Sequence, residues 1–174
     1  MSSIAWKTAF TKQVFIISGI IFVLDQFTKW LVIQYIDMGR HIEVIPGVFD
    51  LVHTKNRGAA FGMFHDASPT FRLIFFGLVT IACLTLLFYW LATTPLSDKY
   101  HRFCLSLILG GAFGNLLDRT LFGQVTDFAD FYYEDYHWPA FNIADSGITV
   151  GVTLIFLKLM ILTFKTKKKK KQAR

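Results

Sequence analysis

GGAFGNLLDRTLFGQVTDFADFYYEDYHWPAFNIADS, Gly110 to Ser146, opens in one apolar run and closes in another. Between them stand Asp118, Asp127, Asp130, Glu134, Asp135 and Asp145. Acids at the edge of a membrane segment are costly to place, so each is a functional candidate. Asp127 and Asp145 lie on opposite flanks of a short polar excursion, in VTDF and NIADS, each beside apolar residues. This layout predicts two carboxylates brought together at a water–lipid boundary, with the rest of the chain as their scaffold.

The composition around that stretch agrees. The chain is 53% hydrophobic and 17% charged, with a mean hydropathy of +0.45. That is too apolar for an ordinary soluble domain. Four apolar runs, at 14–36, 71–91, 103–121 and 141–164, approach the roughly 20 residues that span a bilayer. The expected fold is therefore an all-α polytopic membrane protein. Its parts are four transmembrane helices, a small outer β-hairpin, an interfacial segment and a basic tail at 165–174, in one domain over 1–174. Lys7, Lys12, Lys99, Arg102, Lys165, Lys167 to Lys171 and Arg174 fall on one side of such a layout, which predicts that both termini are cytoplasmic. The terminal lysines suit anionic lipid headgroups. The net charge of +6 does not point to nucleic acid, because the basic residues do not mix with a polar soluble surface. Cys83 and Cys104 lie in apolar runs and read as buried thiols. The first run has no small-residue cleavage site after it and is expected to be retained.

Polar residues inside the runs are few. Asp25 and Lys29 are spaced i, i+4, so on a helix they share a face and can pair. They must face the bundle interior or a polar cavity; a self-neutralising pair and support of a site are both open. In HIEVIPGVFDLVH, His41 to His53, β-branched runs flank Pro46-Gly47, which fits a hairpin with a type II turn. NRGAAFG, Asn56 to Gly62, reads as a tight loop or as a place where another backbone comes close. Gly110 and Gly114 have GxxxG spacing for close helix packing. Gly111, Asn115, Asp118 and Arg119 are expected on one face near the outer end of the third span. The segment 122–140 mixes aromatics and acids, as in a stretch lying in the membrane interface. Asn142 is placed to cap the fourth helix, with Asp145 in its first turn.

Several chemistries fit these residues. There is no HExxH for zinc. His41, His53, His65 and His137 lack ligand spacing, Ser106 and Ser146 have no evident His–Asp partners, and the cysteines lack a base. Two carboxylates sharing one proton can hydrolyse an amide without any of these. A proton relay through Asp25, Lys29 and Asp118, as in a small transporter, and a membrane assembly factor pairing through GxxxG remain alternatives. Within the dyad reading, Asp145 is one member and Asp118, Asp127 or Asp130 is the other. Asp118 lies beside Arg119 and Asn115, which favour a permanently ionised acid. Asp130 is expected to be wetter. Asp127, between Val125 and Phe128, is the preferred partner.

LDQFTK (Leu24–Lys29), NRGAAFG, GGAFGNLLDR (Gly110–Arg119), VTDF (Val125–Phe128) and FNIADS (Phe141–Ser146) resemble, in order and spacing, the blocks of the bacterial lipoprotein signal peptidases, the type II signal peptidases. Phe113 and Leu117 occupy variable positions of the third block. The resemblance implies an intramembrane aspartyl protease of the bacterial cytoplasmic (inner) membrane, with no metal or other cofactor. It implies cleavage of prolipoproteins just before a diacylglyceryl-modified cysteine, on the outer side of the membrane. It assigns catalysis to Asp127 and Asp145. It places Asn56, Gly58, Asn115, Arg119 and Asn142 around the bound peptide, with Asp25, Lys29 and Asp118 as polar support.

Overall fold

The computed structural model describes residues 11–57 and 68–172. Four long helices carry a small antiparallel sheet at one end. In chain order they are α1 (Lys12–Tyr35), β1 (His41–Ile45), β2 (Phe49–Asn56), α2 (Pro69–Thr93), α3 (Lys99–Phe122), β3 (Val125–Tyr133), β4 (Tyr136–His137) and α4 (Ile143–Gln172). Among the described residues, three stretches are long and apolar enough to cross a membrane: Lys12–Tyr35, Thr70–Thr93 and Ile143–Lys165. Phe15, Ile20 and Val23 on α1, Leu78 and Leu86 on α2, and Phe156 and Leu159 on α4 are all exposed. Large apolar side chains pointing outward along whole helices require an apolar solvent.

The third helix differs for a physical reason. α3 is buried along much of its length, from Arg102 to Asp118. It packs on α1, α2 and α4, so protein rather than lipid covers its polar residues. A Cβ on Gly110 would meet Ser18 O of α1 at 2.6 Å, and one on Gly114 would meet Asp25 Oδ2 at 2.5 Å. Gly110 thus lets the α1 backbone press on α3, and Gly114 leaves room for the Asp25 carboxylate. At the opposite end from the sheet, the buried Arg102 guanidinium donates to Leu91 O and Thr94 O, closing the last turn of α2.

The hairpin forms as its sequence predicts. Gly47 has φ of +74° and Val48 N donates to Ile45 O at 3.0 Å, which is the type II turn that glycine permits. The segment 122–140, expected to lie in the membrane interface, carries strands that the sequence did not announce: Val125–Tyr133 forms β3, which pairs with β2, and Tyr136–His137 pairs back on it, giving the order β1-β2-β3-β4. A lone hairpin is marginal in water, and two further strands give it a partner. The fourth helix runs beyond 164, to Gln172. Cys104 is buried as expected, whereas Cys83 is exposed on the outer face of α2.

Candidate active site

The site is built where β3 enters the helical bundle. Phe128 N and Ala129 N donate to Phe141 O, and Phe141 N donates to Ala129 O at 3.0 Å. This bridge clips the chain just before α4 onto β3. It brings together Asp127 and Asp145, 18 positions apart in sequence.

Asn142 and Asp145 cap α4 reciprocally. Asp145 N donates to Asn142 Oδ1 at 2.9 Å, and Asn142 N donates to Asp145 Oδ2 at 3.3 Å. Capping is therefore real, and it does not exhaust either residue. Asn142 Nδ2 also donates to Asp127 Oδ1 at 2.7 Å. Asn115 Nδ2 donates to Asp145 Oδ1 at 2.7 Å, and Asn142 Nδ2 reaches Asn115 Oδ1 at 3.2 Å. Two carboxylates are thus held by two asparagines from different helices. Asn56, at the end of β2, adds a side-chain hydrogen bond to Asp127.

Beneath this lies a buried ion cluster. Lys29 Nζ contacts Asp25 Oδ2 at 2.8 Å and Asp118 Oδ2 at 3.0 Å, and it donates to Asn115 Oδ1 at 3.1 Å. Asp25 Oδ1 accepts from Ala144 N at 2.8 Å, which anchors the start of α4 to α1. Asp25 and Lys29 are 0% and 2% exposed. A pair this deep is stable only with its remaining polar atoms satisfied, and here they are. Lys29 fixes the Asn115 amide so that its NH₂ points at Asp145.

Asp127 is 2% exposed. Burial first, and the neighbouring Asp145 charge second, push its carboxyl up to about 7. Asp145 is half-buried, so the pair opens to the outside on its side. Arg119 feels the charges of Asp145, Asp127 and Asp118. Its guanidinium stacks over the Phe76 ring, 5.3 Å from the centroid. It lines a groove of about 560 Å³ between α2 and α3 with Arg57, Arg72, Phe76 and Leu116.

The expected residues sort clearly. Asp127, Asp145, Asn56, Asn115, Asn142, Asp25, Lys29 and Asp118 all join this network. Gly58 and the rest of its loop to Gly62 lie outside the described residues. The single face proposed for Gly111, Asn115, Asp118 and Arg119 is in fact split: Gly111 abuts Ala144 of α4, Asp118 turns to Lys29 of α1 and Arg119 turns to Phe76 of α2. Lys29, not Arg119, is the partner of Asp118. Asp130 is buried rather than wet, at 5% exposed. Ser106 Oγ and Ser146 Oγ are spent on backbone carbonyls. Among the described residues no group of three His, Cys, Asp or Glu side chains is placed to hold a metal ion.

Three members of the site went unread in the sequence. Gln26 Nε2 bridges Asp25, Gly114 O and Asp118 Oδ1. Its place next to Asp25 was the available signal. Thr126 and Lys55 meet across the sheet, Lys55 Nζ donating to Thr126 Oγ1 at 2.7 Å. That contact depends on strand pairing 71 residues apart, which no local pattern announces.

Residues 17–161 match the signal peptidase (SPase) II family. A lipoprotein signal peptidase of Solibacter usitatus is 42% identical over 160 residues, covering 92% of this chain and 94% of that protein. One from Maridesulfovibrio salexigens is 47% identical over 136 residues, covering 78% and 87%. A solved bacterial membrane enzyme is 34% identical, with a TM-score of 0.79 over 88% of this chain and 91% of that one. The aspartate-centred polar core, set in apolar helices and carried on a sequence shared almost end to end, places this chain in the signal peptidase II family, as a membrane peptidase of the aspartic type.

Proposed function

We propose that the chain removes the signal peptide of diacylglyceryl-modified prolipoproteins, cutting just before the lipidated cysteine with Asp127 and Asp145 as its catalytic pair. The observation that carries this reading is the hydrogen-bonded network in which Asn115 and Asn142 hold both carboxylates. The names of the relatives support the substrate class.

The dyad works with one proton. Burial makes Asp127 the carboxyl that keeps it. A water between the two acids gives a proton to the ionised carboxylate as its oxygen attacks the scissile carbonyl carbon. Asp127 donates its proton to the carbonyl oxygen, so no oxyanion is left bare. The tetrahedral carbon then expels the amine, which leaves with the proton taken from water, and Asp127 recovers its own. The Asn115 and Asn142 amides are neutral donors, so they orient the pair without cancelling its charge.

A helical signal peptide must be extended to expose its scissile bond, and its freed backbone groups need partners. Asn56, which bonds Asp127, and Arg119, in the neighbouring groove between α2 and α3, are the side chains for that role. α3, with 24 residues and a rise of 1.5 Å each, is about 36 Å long and crosses as the fourth span. The sheet and dyad sit at its outer end. Lys12, Lys99 and Arg102 at the other end support an orientation with both termini in the cytoplasm of a bacterial cell and the site on the outer face of its cytoplasmic membrane. Membrane lipid is the remaining partner, on the exposed faces of α1, α2 and α4.

The test is cleavage of a lipidated precursor by the purified protein, with the unlipidated form alongside. A site at the depth of the bilayer surface needs the lipid to bring its substrate there. Equal turnover of the two forms would count against the reading.

A further inference from the structure

We propose that Lys55, tethered to Thr126, is a positioning residue that limits the catalytic pair to a single proton. The inference rests on the dyad reading above and adds a residue to it.

Thr126 precedes Asp127 and is 2% exposed. Each of its polar atoms is held by a different element. Its N donates to Asp118 Oδ2 on α3 at 3.2 Å, its O accepts from Asn142 Nδ2 at the cap of α4 at 3.3 Å, and its Oγ1 accepts from Lys55 Nζ on β2 at 2.7 Å. Lys55 pairs with Thr126 and Thr54 with Asp127 in the β2–β3 register. The ammonium therefore has a fixed place beside the dyad. Lys55 feels the charges of Asp118, Asp127 and Lys29, and its partial burial lowers its proton affinity.

The formal charges around Asp127 then close. Among the described residues the cluster holds four acids, Asp25, Asp118, Asp127 and Asp145, and three cations: Lys29 from α1, Arg119 from α3 and Lys55 from β2. Four negative charges against three positive leave one, which a single proton on the dyad cancels. Without Lys55 the singly protonated dyad sits in a net negative cluster, and a second proton binds more easily. A doubly protonated pair has no carboxylate to take a proton from water. Lys29 cannot supply the missing charge, because it is already shared between Asp25 and Asp118.

The experiment is the pH dependence of kcat/KM on a lipidated precursor peptide in detergent, for the parent, Lys55→Met, Lys55→Arg, Thr126→Val and Thr126→Ser. In Lys55→Met both limbs of the bell move to higher pH, by roughly half to one unit for a partly screened charge at this range. Lys55→Arg keeps the parental profile. Thr126→Val, which keeps the charge but loses its tether, moves the limbs the same way by less, and Thr126→Ser restores them. A merely structural lysine would lower activity equally at every pH. An unmoved Lys55→Met profile, or an Arg variant that shifts as far as Met, overturns the inference. If Lys55→Met does not fold, the Thr126 pair decides in the same way. A parent with no acid limb overturns the dyad reading and this inference together.

Discussion

Asp50 with Asp130, and Asp127 with Asp145, are facing aspartate pairs that the fold handles differently. Asp50 and Asp130 stand opposite each other in the β2–β3 register, at 8% and 5% exposed. Like charges directly opposite on a sheet repel. Here imidazoles answer them: His137 Nδ1 lies 2.8 Å from Asp130 Oδ2, and His41 Nδ1 lies 3.5 Å from Asp50 Oδ2. Tyr132 stacks on the His137 ring and holds it there. Asp127 and Asp145 are met instead by asparagine amides, which donate hydrogen bonds and carry no charge. A group that can carry positive charge can offset the charge of an acid beside it. A neutral donor leaves the two acids to settle a proton between themselves. On the function proposed above, the neighbours, not the aspartates, make one pair structural and the other reactive.

The comparison breaks first at the dyad. Asp127→Asn and Asp145→Asn should each abolish cleavage of a lipidated peptide, by at least about 10⁴-fold, and the double variant should be no worse than either single one because the pair acts as a unit. Both variants should remain folded, which unfolding in detergent checks. Near-normal turnover in Asp127→Asn, with Asp118→Asn folded and dead, would move the assignment to Asp118.

The next effect is on stability. Lys29→Met strands Asp25 and Asp118 without their cation, and a buried charge left unpaired costs about 3–5 kcal/mol. Thermal unfolding reads this directly; a loss below about 1 kcal/mol would mean that the cluster is already screened by water.

A pH series separates the two pairs further. Folded Asp127 titrates near 7, raised from 3.8, so between those values the folded state holds a proton that the unfolded chain has released. Its contribution to stability is therefore largest at low pH and falls as pH rises towards 7, by up to about 1.4 kcal/mol per unit. The melting temperature of Asp127→Asn should lack that slope.

Smaller effects test the rim. Arg119→Lys keeps the charge but loses the planar fork over Phe76, so kcat/KM should drop roughly tenfold; full activity would show that charge alone suffices. Asp130→Asn, in the other pair, should change turnover by less than about twofold. A dead but folded Asp130→Asn would erase the distinction between the pairs.

Much of this could be read without coordinates. The acids inside apolar runs, the Asp25–Lys29 spacing, the Pro46-Gly47 turn and the GxxxG approach are local patterns, and helix periodicity or turn chemistry expresses each of them within a few residues. β3 was unreadable for a definite reason. Every residue from Val125 to Asp130 is buried, because both of its faces are covered. The alternation that marks a half-exposed strand is therefore missing, and a run of acids and aromatics looks like interface. The same limit hid Lys55 and Thr126, and it reversed the expectations for Asp130 and for the partner of Asp118.

The apolar helices, the acids available for chemistry and the family blocks that contain them are all written in local sequence. Which acids meet, and which neighbour each one has, follows from the folded chain alone. A carboxylate's proton affinity depends on burial and on charges a few ångströms away. At Asp127 those are set by Asn142, Asp145 and Lys29, which come from the start of α4 and from α1 and arrive only when the chain has folded.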